Sequence, residues 1–346
     1  MINEPNIKSY DYDLIETIQY VISEKCNMNC TYCNVDKKTE KYLDYSDFLI
    51  FKKEHLDKCS NYRLDIFGGE ALIFADTILK IVRLLEDDDN CHSILIPTNG
   101  SIYNNTVKEI INSKLVTNMV ISHDGIFQEK NRADYKLYFK ELNCKRVHLM
   151  IIGDNFNNNT NLFIEQDKFF RKDNIKVDMM FVRDKNTFSF NQAELFVKQF
   201  NEYLIYLKPY FKEWKVLSDI PGMIRQYIVQ FLSFAIYEHK FDGCSAGKEL
   251  VSYTNKELLS CTRFSRTNDN YKIYEYDNYL SECNTCDIRD YCGTGCKYEV
   301  IQNNGIIPEL CVIYKGIFKV LKQILIEDKH LLNLYLKGKE WPKNKQ

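Results

Sequence analysis

This chain of 346 residues lacks several features, and each absence removes a class of function. It has no excess of either charge: 46 Lys and Arg face 48 Asp and Glu. No general attraction to nucleic acid or to anionic membrane follows. It has no long apolar run. Its longest apolar stretches, such as Ile228 to Tyr237, carry polar residues and are too short to span a bilayer. Met1 to Asp13 is polar and acidic, which does not read as a secretory signal. There is no internal repeat and no low-complexity linker. The expectation is a cytoplasmic protein without nucleic-acid or membrane partners, built from one large domain and a smaller one.

Cysteine is what the chain has in quantity. Thirteen Cys in a reducing compartment argue for metal or redox chemistry rather than a disulfide framework. Cys59, Cys91 and Cys144 are isolated and read as small buried hydrophobes. The others fall into two groups: Cys26, Cys30 and Cys33 on one short stretch, and seven Cys between residues 244 and 311. Three thiolates on one loop can hold three irons of a cubane iron–sulfur cluster and leave the fourth iron for a non-protein ligand. Zinc would need a fourth ligand nearby, and this loop offers no His.

Over the first two-thirds, strand-like and helix-like segments alternate. Strands are expected at Ile15 to Ser23, Leu64 to Phe67, Ser93 to Pro97, Thr117 to Ser122, Arg146 to Ile152 and Lys176 to Val182. Helices are expected at Asp47 to Cys59, Asp76 to Leu85, Asn105 to Ser113, Phe127 to Glu141, Leu162 to Arg171 and Asn191 to Tyr206. Such alternation implies parallel strands with crossover helices, here a partial (β/α)6 TIM-like barrel of the α/β class. Chemistry in such folds gathers where strands end. The Cys triplet, Gly68-Gly69-Glu70, Thr98-Asn99-Gly100 and Ser122-His123-Asp124-Gly125 follow strands one to four in turn. Further helices are expected at Gly222 to Lys240 and Glu309 to Leu336. The organisation read from this is an N-terminal extension (1–14), the barrel (15–220), a bridging helix (221–240), a Cys-rich domain (241–315) and a C-terminal helix and tail (316–346).

The string Cys26-x3-Cys30-x2-Cys33 after the first strand resembles the radical S-adenosylmethionine (SAM) family, in which an aromatic such as Tyr32 precedes the last Cys. The resemblance implies that Cys26, Cys30 and Cys33 bind a [4Fe–4S] cluster whose fourth iron is chelated by SAM. One electron would cleave SAM to methionine and a 5′-deoxyadenosyl radical, which abstracts hydrogen from substrate. Phe67-Gly68-Gly69-Glu70-Ala71 resembles the family's glycine-rich motif. There the backbone contacts the SAM amino group and Glu70 supports it; alone, two adjacent Gly would mark only a tight turn. Asn99 is either a hydrogen-bond partner of the ribose or a turn residue. Ser122 and Arg132 are implied donors to the SAM carboxylate, a role suited to a guanidinium fork. His123 is either a satisfied core residue or a proton relay.

The second Cys group, Cys283-x2-Cys286-x5-Cys292-x3-Cys296 with Cys311 beyond and Cys244 and Cys261 upstream, has a zinc ribbon as its plain reading. Seven Cys exceed one zinc site, and the arrangement resembles the SPASM extension of radical SAM enzymes. By that resemblance Cys283, Cys286, Cys292 and Cys311 hold a distal auxiliary cluster, and Cys244, Cys261 and Cys296 a proximal one, giving three [4Fe–4S] clusters in all. The proximal set is one Cys short. Its fourth position is left to Glu238, His239, Asp242, a substrate group or an open iron. The family has Gly five residues before the second of these Cys; here Lys256 follows Asn255.

Most relatives with this extension modify peptides or proteins. The expected function is hydrogen abstraction from a residue of a ribosomal precursor peptide and formation of a carbon–carbon or thioether crosslink. Asp178 or His123 would act as base, a flavodoxin- or ferredoxin-type donor would supply electrons, and an auxiliary cluster would take up the surplus one. The alternatives are a formylglycine-forming sulfatase maturase, a peptide epimerase, or a non-catalytic electron carrier or zinc scaffold. In sulfatase maturases an Asp follows the second proximal Cys and Gln precedes the glycine motif; here Thr262 and Phe67 stand there. Met1 to Asp13 reads as too short for a leader-binding domain, so leader recognition falls to an exposed edge, the bridging region or a separate partner.

Overall fold

The computed structural model describes residues 10–30, 33, 41–127, 136–139, 146–151, 153–157, 159–171, 176–181, 188–237, 244–267 and 269–339. The chain divides into two compact units. The first comprises 1–123, 128–147 and 245–276; the second comprises 124–127, 148–244 and 277–346.

Unit one is a sheet backed by helices. Four parallel strands, β1 (Thr17–Ser23), β2 (Tyr62–Gly68), β3 (Cys91–Thr98) and β4 (Val116–His123), pair in chain order. Between them run α1 (Tyr45–Glu54), α2 (Ala75–Leu85) and α3 (Asn105–Asn112). The short helix α4 (Lys136–Phe139) follows, and the remainder of the expected Phe127 to Glu141 helix lies outside the described residues. Alternate strand residues explain the layering. Ile18, Tyr20 and Ile22 of β1, with Leu64 and Ile66 of β2, are buried to 1 % exposure or less. They face the apolar stripe of the helices, where Phe48, Phe51, Ile78, Ile81, Val82 and Leu85 are fully covered. Each such side chain contributes about 1.5–3 kcal/mol on leaving water. Asp44 starts α1 by accepting from the backbone N–H of Ser46 and Asp47, and Asp47 answers with a bond from the Asp44 N–H.

A second element of unit one comes from far along the chain. Strand β7 (Leu250–Thr254) pairs parallel to β1, and β8 (Glu257–Leu259) turns back antiparallel to β7. Asn255 and Lys256 form the turn, both left-handed at φ 53° and 68°. Two positive φ values in a two-residue loop match the twist of the flanking strands. The Lys256 ammonium lies 2.6 Å from the Asp47 carboxylate, which ties the turn to α1. Tyr253 packs its ring 4.4 Å from that of Phe51.

Unit two holds β5 (Arg146–Ile151, from His148 on) beside β6 (Lys176–Phe181), with α5 (Leu162–Arg171), α6 (Phe190–Leu207) and α7 (Gly222–Tyr237). Its Cys-rich part is a run of short turns with α8 (Arg289–Cys292) and α9 (Lys297–Gln302), closed by α10 (Pro308–Glu327) and α11 (Lys329–Lys339). The single helix expected from Glu309 to Leu336 is thus two helices, broken at the extended Asp328. No helix among the described residues is long and apolar enough to cross a membrane.

Candidate active site and cluster centres

Parallel pairing brings four strand ends of unit one to one edge. Ser23 lies opposite Gly68, and Thr98 opposite Ile121. The Cys loop leaves β1 there with Cys26 and Cys30 half-buried and Cys33 exposed. Cys26 Sγ accepts from the Met28 N–H at 3.4 Å and from the Asn99 amide at 3.9 Å. The Cys33 N–H donates to the Cys30 carbonyl at 3.2 Å. Tyr32 lies outside the described residues.

The glycine motif holds this loop through its backbone. Gly69 donates to the Ser23 carbonyl at 2.9 Å, and Glu70 to the Lys25 carbonyl at 2.8 Å. A Cβ on Gly68 would stand 2.7 Å from the Ser23 oxygen, and one on Gly69 only 2.4 Å from the Glu24 oxygen. Glycine is required at both positions because two backbones touch. The partner visible here is the chain entering the Cys loop.

Glu70 is 2 % exposed, and both of its oxygens are in use. One accepts from the Leu72 N–H at 3.1 Å and the Thr98 hydroxyl at 2.8 Å; the other accepts from the Asn99 N–H at 2.7 Å. The carboxylate therefore clamps the end of β3 to the end of β2. Asn99 extends the clamp. Its amide donates to Asn27 Oδ1 at 2.9 Å, its own Oδ1 accepts from the Ser101 N–H at 2.9 Å, and the Asn27 amide donates to the Ser101 hydroxyl at 2.7 Å. At the end of β4, Ser122 is half-buried and His123 buried, both engaged with neighbours. Arg132 lies outside the described residues. Thr98, which lay in a strand-end motif but had no role assigned, completes the Glu70 clamp. Tyr138 carried no sequence signal; its buried hydroxyl donates to the Ile102 carbonyl.

Unit two gathers the distal thiols. Cys283 ends a short turn (Ser281–Cys283), Cys286 follows it, Cys292 ends α8 and Cys311 sits in the first turn of α10 behind Pro308. Burial pushes the Cys292 thiol up to about 12, and Cys311, Cys283 and Cys286 add to the rise. Burial likewise pushes Cys311 up to about 11, with Cys283 next in effect, partly offset by Lys315. Cys283 is raised by burial and then by Cys286. The thiols that raise Cys292 are Cys311, Cys283 and Cys286, so the four share one neighbourhood. They form a donor set that a cationic iron–sulfur core would neutralise. Among the described residues no group of three or more His, Cys, Asp or Glu is gathered tightly enough to hold one metal ion. A zinc tetrahedron needs sulfurs about 2.3 Å from a single point, whereas a cubane spreads its thiolates over separate irons.

The remaining sequence candidates belong to both units. Cys261 belongs to unit one, Cys244 and Cys296 to unit two, and all three are half-buried. Glu238, His239 and Asp242 lie outside the described residues. Asp178 on β6 has His148 Nε2 of β5 3.9 Å from its Oδ2, a neighbour the sequence reading missed. Cys59 and Cys91 are buried, with thiols pushed up to about 11 chiefly by burial. Both behave as the small hydrophobes expected; Cys144 lies outside the described residues.

Residues 17–148 match the model of a 4Fe–4S single cluster domain. Uncharacterized protein MJ0907 of Methanocaldococcus jannaschii is 31% identical over 113 residues, which is 30% of this chain and 37% of that protein. The chain thus spans little more than a third of the curated relative it matches. Among solved structures, anSMEcpe with bound AdoMet and the Cp18Cys peptide is similar at a TM-score of 0.68 and 14% identity, over 93% of this chain and 99% of that one. Streptococcus suis SuiB bound to the precursor peptide SuiA is similar at 0.58 and 17%, over 85% of this chain and 74% of that one. The chain has the fold of the radical SAM enzymes that carry a SPASM extension, with the matched cluster domain spanning the strands around the first Cys loop.

Proposed function

We propose that this chain is a radical SAM peptide maturase. The observation that carries the reading is the clamp at the strand ends of unit one. There Cys26, the Gly68–Gly69 backbone, Glu70 and Asn99 form one hydrogen-bonded assembly, and the thiols of Cys26, Cys30 and Cys33 are all at least partly accessible. Cys26, Cys30 and Cys33 would hold a [4Fe–4S] cluster. SAM would occupy the fourth iron, with Ser122, Arg132 and Asn99 as its polar neighbours and Tyr32 beside the cluster. When bound, these groups supply the radical chemistry: one electron cleaves SAM, and the radical formed takes a hydrogen atom from substrate.

The residues of the chain do the rest. Gly68 and Gly69 allow the loop to sit against the end of β2, and Glu70 fixes the spacing of the β2 and β3 ends. Asp178 and His123 are the groups proposed to accept a proton if the new bond forms by oxidation. Cys283, Cys286, Cys292 and Cys311 would hold the distal auxiliary cluster, and Cys244, Cys261 and Cys296 the proximal one. The substrate class is a ribosomally made precursor peptide, crosslinked through a carbon–carbon or thioether bond. Peptides bound to anSMEcpe and SuiB support a peptide partner. A flavodoxin- or ferredoxin-type protein would supply the electron.

Sulfatase maturation is the second reading. It is favoured by the extent of likeness, since the match covers 99% of anSMEcpe against 74% of SuiB. Thr262 after Cys261 stands against it, because no carboxylate is available there. The test is anaerobic reconstitution with iron and sulfide, then dithionite and SAM, with separate addition of a sulfatase-derived Cys peptide and of a short precursor encoded beside the gene. Formation of 5′-deoxyadenosine and a crosslinked precursor is expected. A fully loaded protein that forms no 5′-deoxyadenosine would refute the enzyme, and conversion of only the sulfatase peptide would select the second reading.

A further inference from the structure

The loop that follows β3 is held at both ends before it meets the Cys loop. At its start the Thr98 hydroxyl and the Asn99 N–H donate to the buried Glu70 carboxylate at 2.8 and 2.7 Å. The Gly100 N–H donates back to the Thr98 hydroxyl at 3.1 Å, and Gly100 turns through φ 73°. At its far end the fully buried Tyr138 of α4 donates its hydroxyl to the Ile102 carbonyl and packs 5.1 Å from the Tyr103 ring. Between these anchors Asn99 and Ser101 close a ring of hydrogen bonds with Asn27, the residue after Cys26. The Asn99 amide donates to Asn27 Oδ1 at 2.9 Å, the Asn27 amide to the Ser101 hydroxyl at 2.7 Å, and the Ser101 N–H to Asn99 Oδ1 at 2.9 Å. Asn99 Nδ2 also donates to Cys26 Sγ at 3.9 Å. All of these residues belong to unit one.

Asn99 has two amide protons and two acceptors for them, Asn27 Oδ1 and Cys26 Sγ. Asn27 is exposed, yet both ends of its amide are engaged. Fixing an exposed side chain from both ends costs rotamer freedom and returns little folding stability. Hydrogen bonds around a ligand, by contrast, orient it and set its affinity for metal. We infer that Asn27, Asn99 and Ser101 form a latch that holds the Cys26 thiol in position for the first cluster, with Tyr138 fixing the arm from which the latch reaches. Asn27 and Ser101 are positioning residues: they act on Cys26 through Asn99, whose Oδ1 keeps one lone pair for a bound ligand. The inference rests on the proposed role of Cys26 as a cluster ligand, but the latch is made from the chain alone.

The experiment reads each thiol separately. The full metal-free chain is alkylated with iodoacetamide at fixed pH, and the rate at each Cys is followed by peptide mass spectrometry. Asn27→Ala should speed the reaction of Cys26 by roughly fivefold, the worth of one hydrogen bond, and leave Cys30 and Cys33 at their former rates. Ser101→Ala should act in the same direction. Ser101→Thr keeps the hydroxyl and the N–H, and should restore the rate of the unaltered chain. Slow reaction of the buried Cys59 and Cys91 reports an intact fold in every variant; if Asn27→Ala exposes them, Ser101→Ala decides alone. Equal Cys26 rates in the folded variants and the unaltered chain would overturn the inference. A rise shared by Cys26, Cys30 and Cys33 would overturn it as well, because the loop would then have loosened as a whole.

A second measurement uses the reconstituted protein. Release of iron to a chelator should be about tenfold faster from Asn27→Ala for about four irons per chain, and unchanged for the rest. Iron released at the same rate from both proteins would overturn the inference. An unaltered chain that takes up no iron at Cys26, Cys30 and Cys33, while its Cys26 still responds to Asn27→Ala, would overturn the cluster reading, which the two measurements thereby separate from the latch.

Discussion

The two thiol-rich regions solve opposite problems. The first loop has three Cys at the edge of a sheet, half-buried to exposed, among the polar side chains of Asn27, Asn99 and Ser101. The distal group has four Cys folded into turns around α8 and α10, with Cys292 and Cys311 strongly disfavouring ionisation before any metal arrives. On the proposed assignment, one region leaves room for a fourth ligand that comes and goes, and the other supplies a complete set of ligands from the chain. On this reading the difference in burial separates a centre that does chemistry from one that holds or passes an electron.

The comparison breaks most sharply under ligand removal. Cys30→Ala should abolish SAM cleavage and lower iron by about four atoms per chain. Cys283→Ala should lose a similar amount of iron yet retain 5′-deoxyadenosine formation, while crosslinked product disappears. Iron analysis with liquid chromatography of the nucleoside checks both. Equal loss of SAM cleavage in the two variants would erase the distinction.

The clamp comes next. Glu70→Gln places an amide N–H₂ where one of two acceptor oxygens stood, against the Asn99 N–H or the Thr98 hydroxyl. A buried unmet polar group costs about 1–3 kcal/mol, and loss of a supporting contact around a metal site costs about 10–100-fold in affinity or activity. Urea unfolding and SAM titration of the loaded protein measure the two. Gly69→Ala forces a methyl to 2.4 Å from the Glu24 carbonyl. A stability loss of about 1–3 kcal/mol is expected from overpacking, together with slower loading of the first cluster and unchanged loading of the distal one.

A pH effect should belong to the distal region. Iron binds thiolates, and the raised thiols of Cys292 and Cys311 are almost wholly protonated at neutral pH. Distal loading should therefore quicken as pH rises from 7 toward 9. The metal-free fold shows the opposite trend. Unfolded thiols ionise near 9.0 while the buried ones wait until about 11 to 12, so this stabilisation is present below pH 9 and lost as pH climbs through the folded values. Stopped-flow absorbance at graded pH and urea melts of the metal-free protein check the pair. The smallest effect lies at the β7–β8 turn. Lys256→Gly removes an unfavourable left-handed side chain but loses the ion pair to Asp47, and a slight rise in melting temperature is expected.

Much of unit one was legible in the sequence because two periodicities agree. Ile18, Tyr20 and Ile22 alternate toward the helices, while Ile78, Ile81, Val82 and Leu85 recur at helical spacing. The Cys spacings were equally plain. The β7–β8 hairpin was not. Its strands are short, its turn is Asn-Lys where Asn-Gly would have announced it, and its partner β1 precedes it by more than two hundred residues. The role of Glu70 was half legible: the motif drew attention to the residue, but its three hydrogen bonds reach across loops that no local pattern joins.

Quantitative iron, zinc and sulfide analysis of the anaerobically reconstituted chain, followed by a dithionite-driven SAM assay on the same sample, tests the central claim most directly. The account predicts about twelve irons per chain, little zinc and steady formation of 5′-deoxyadenosine. A protein that takes zinc in place of iron at its later Cys, or that carries full iron and leaves SAM intact, would contradict it.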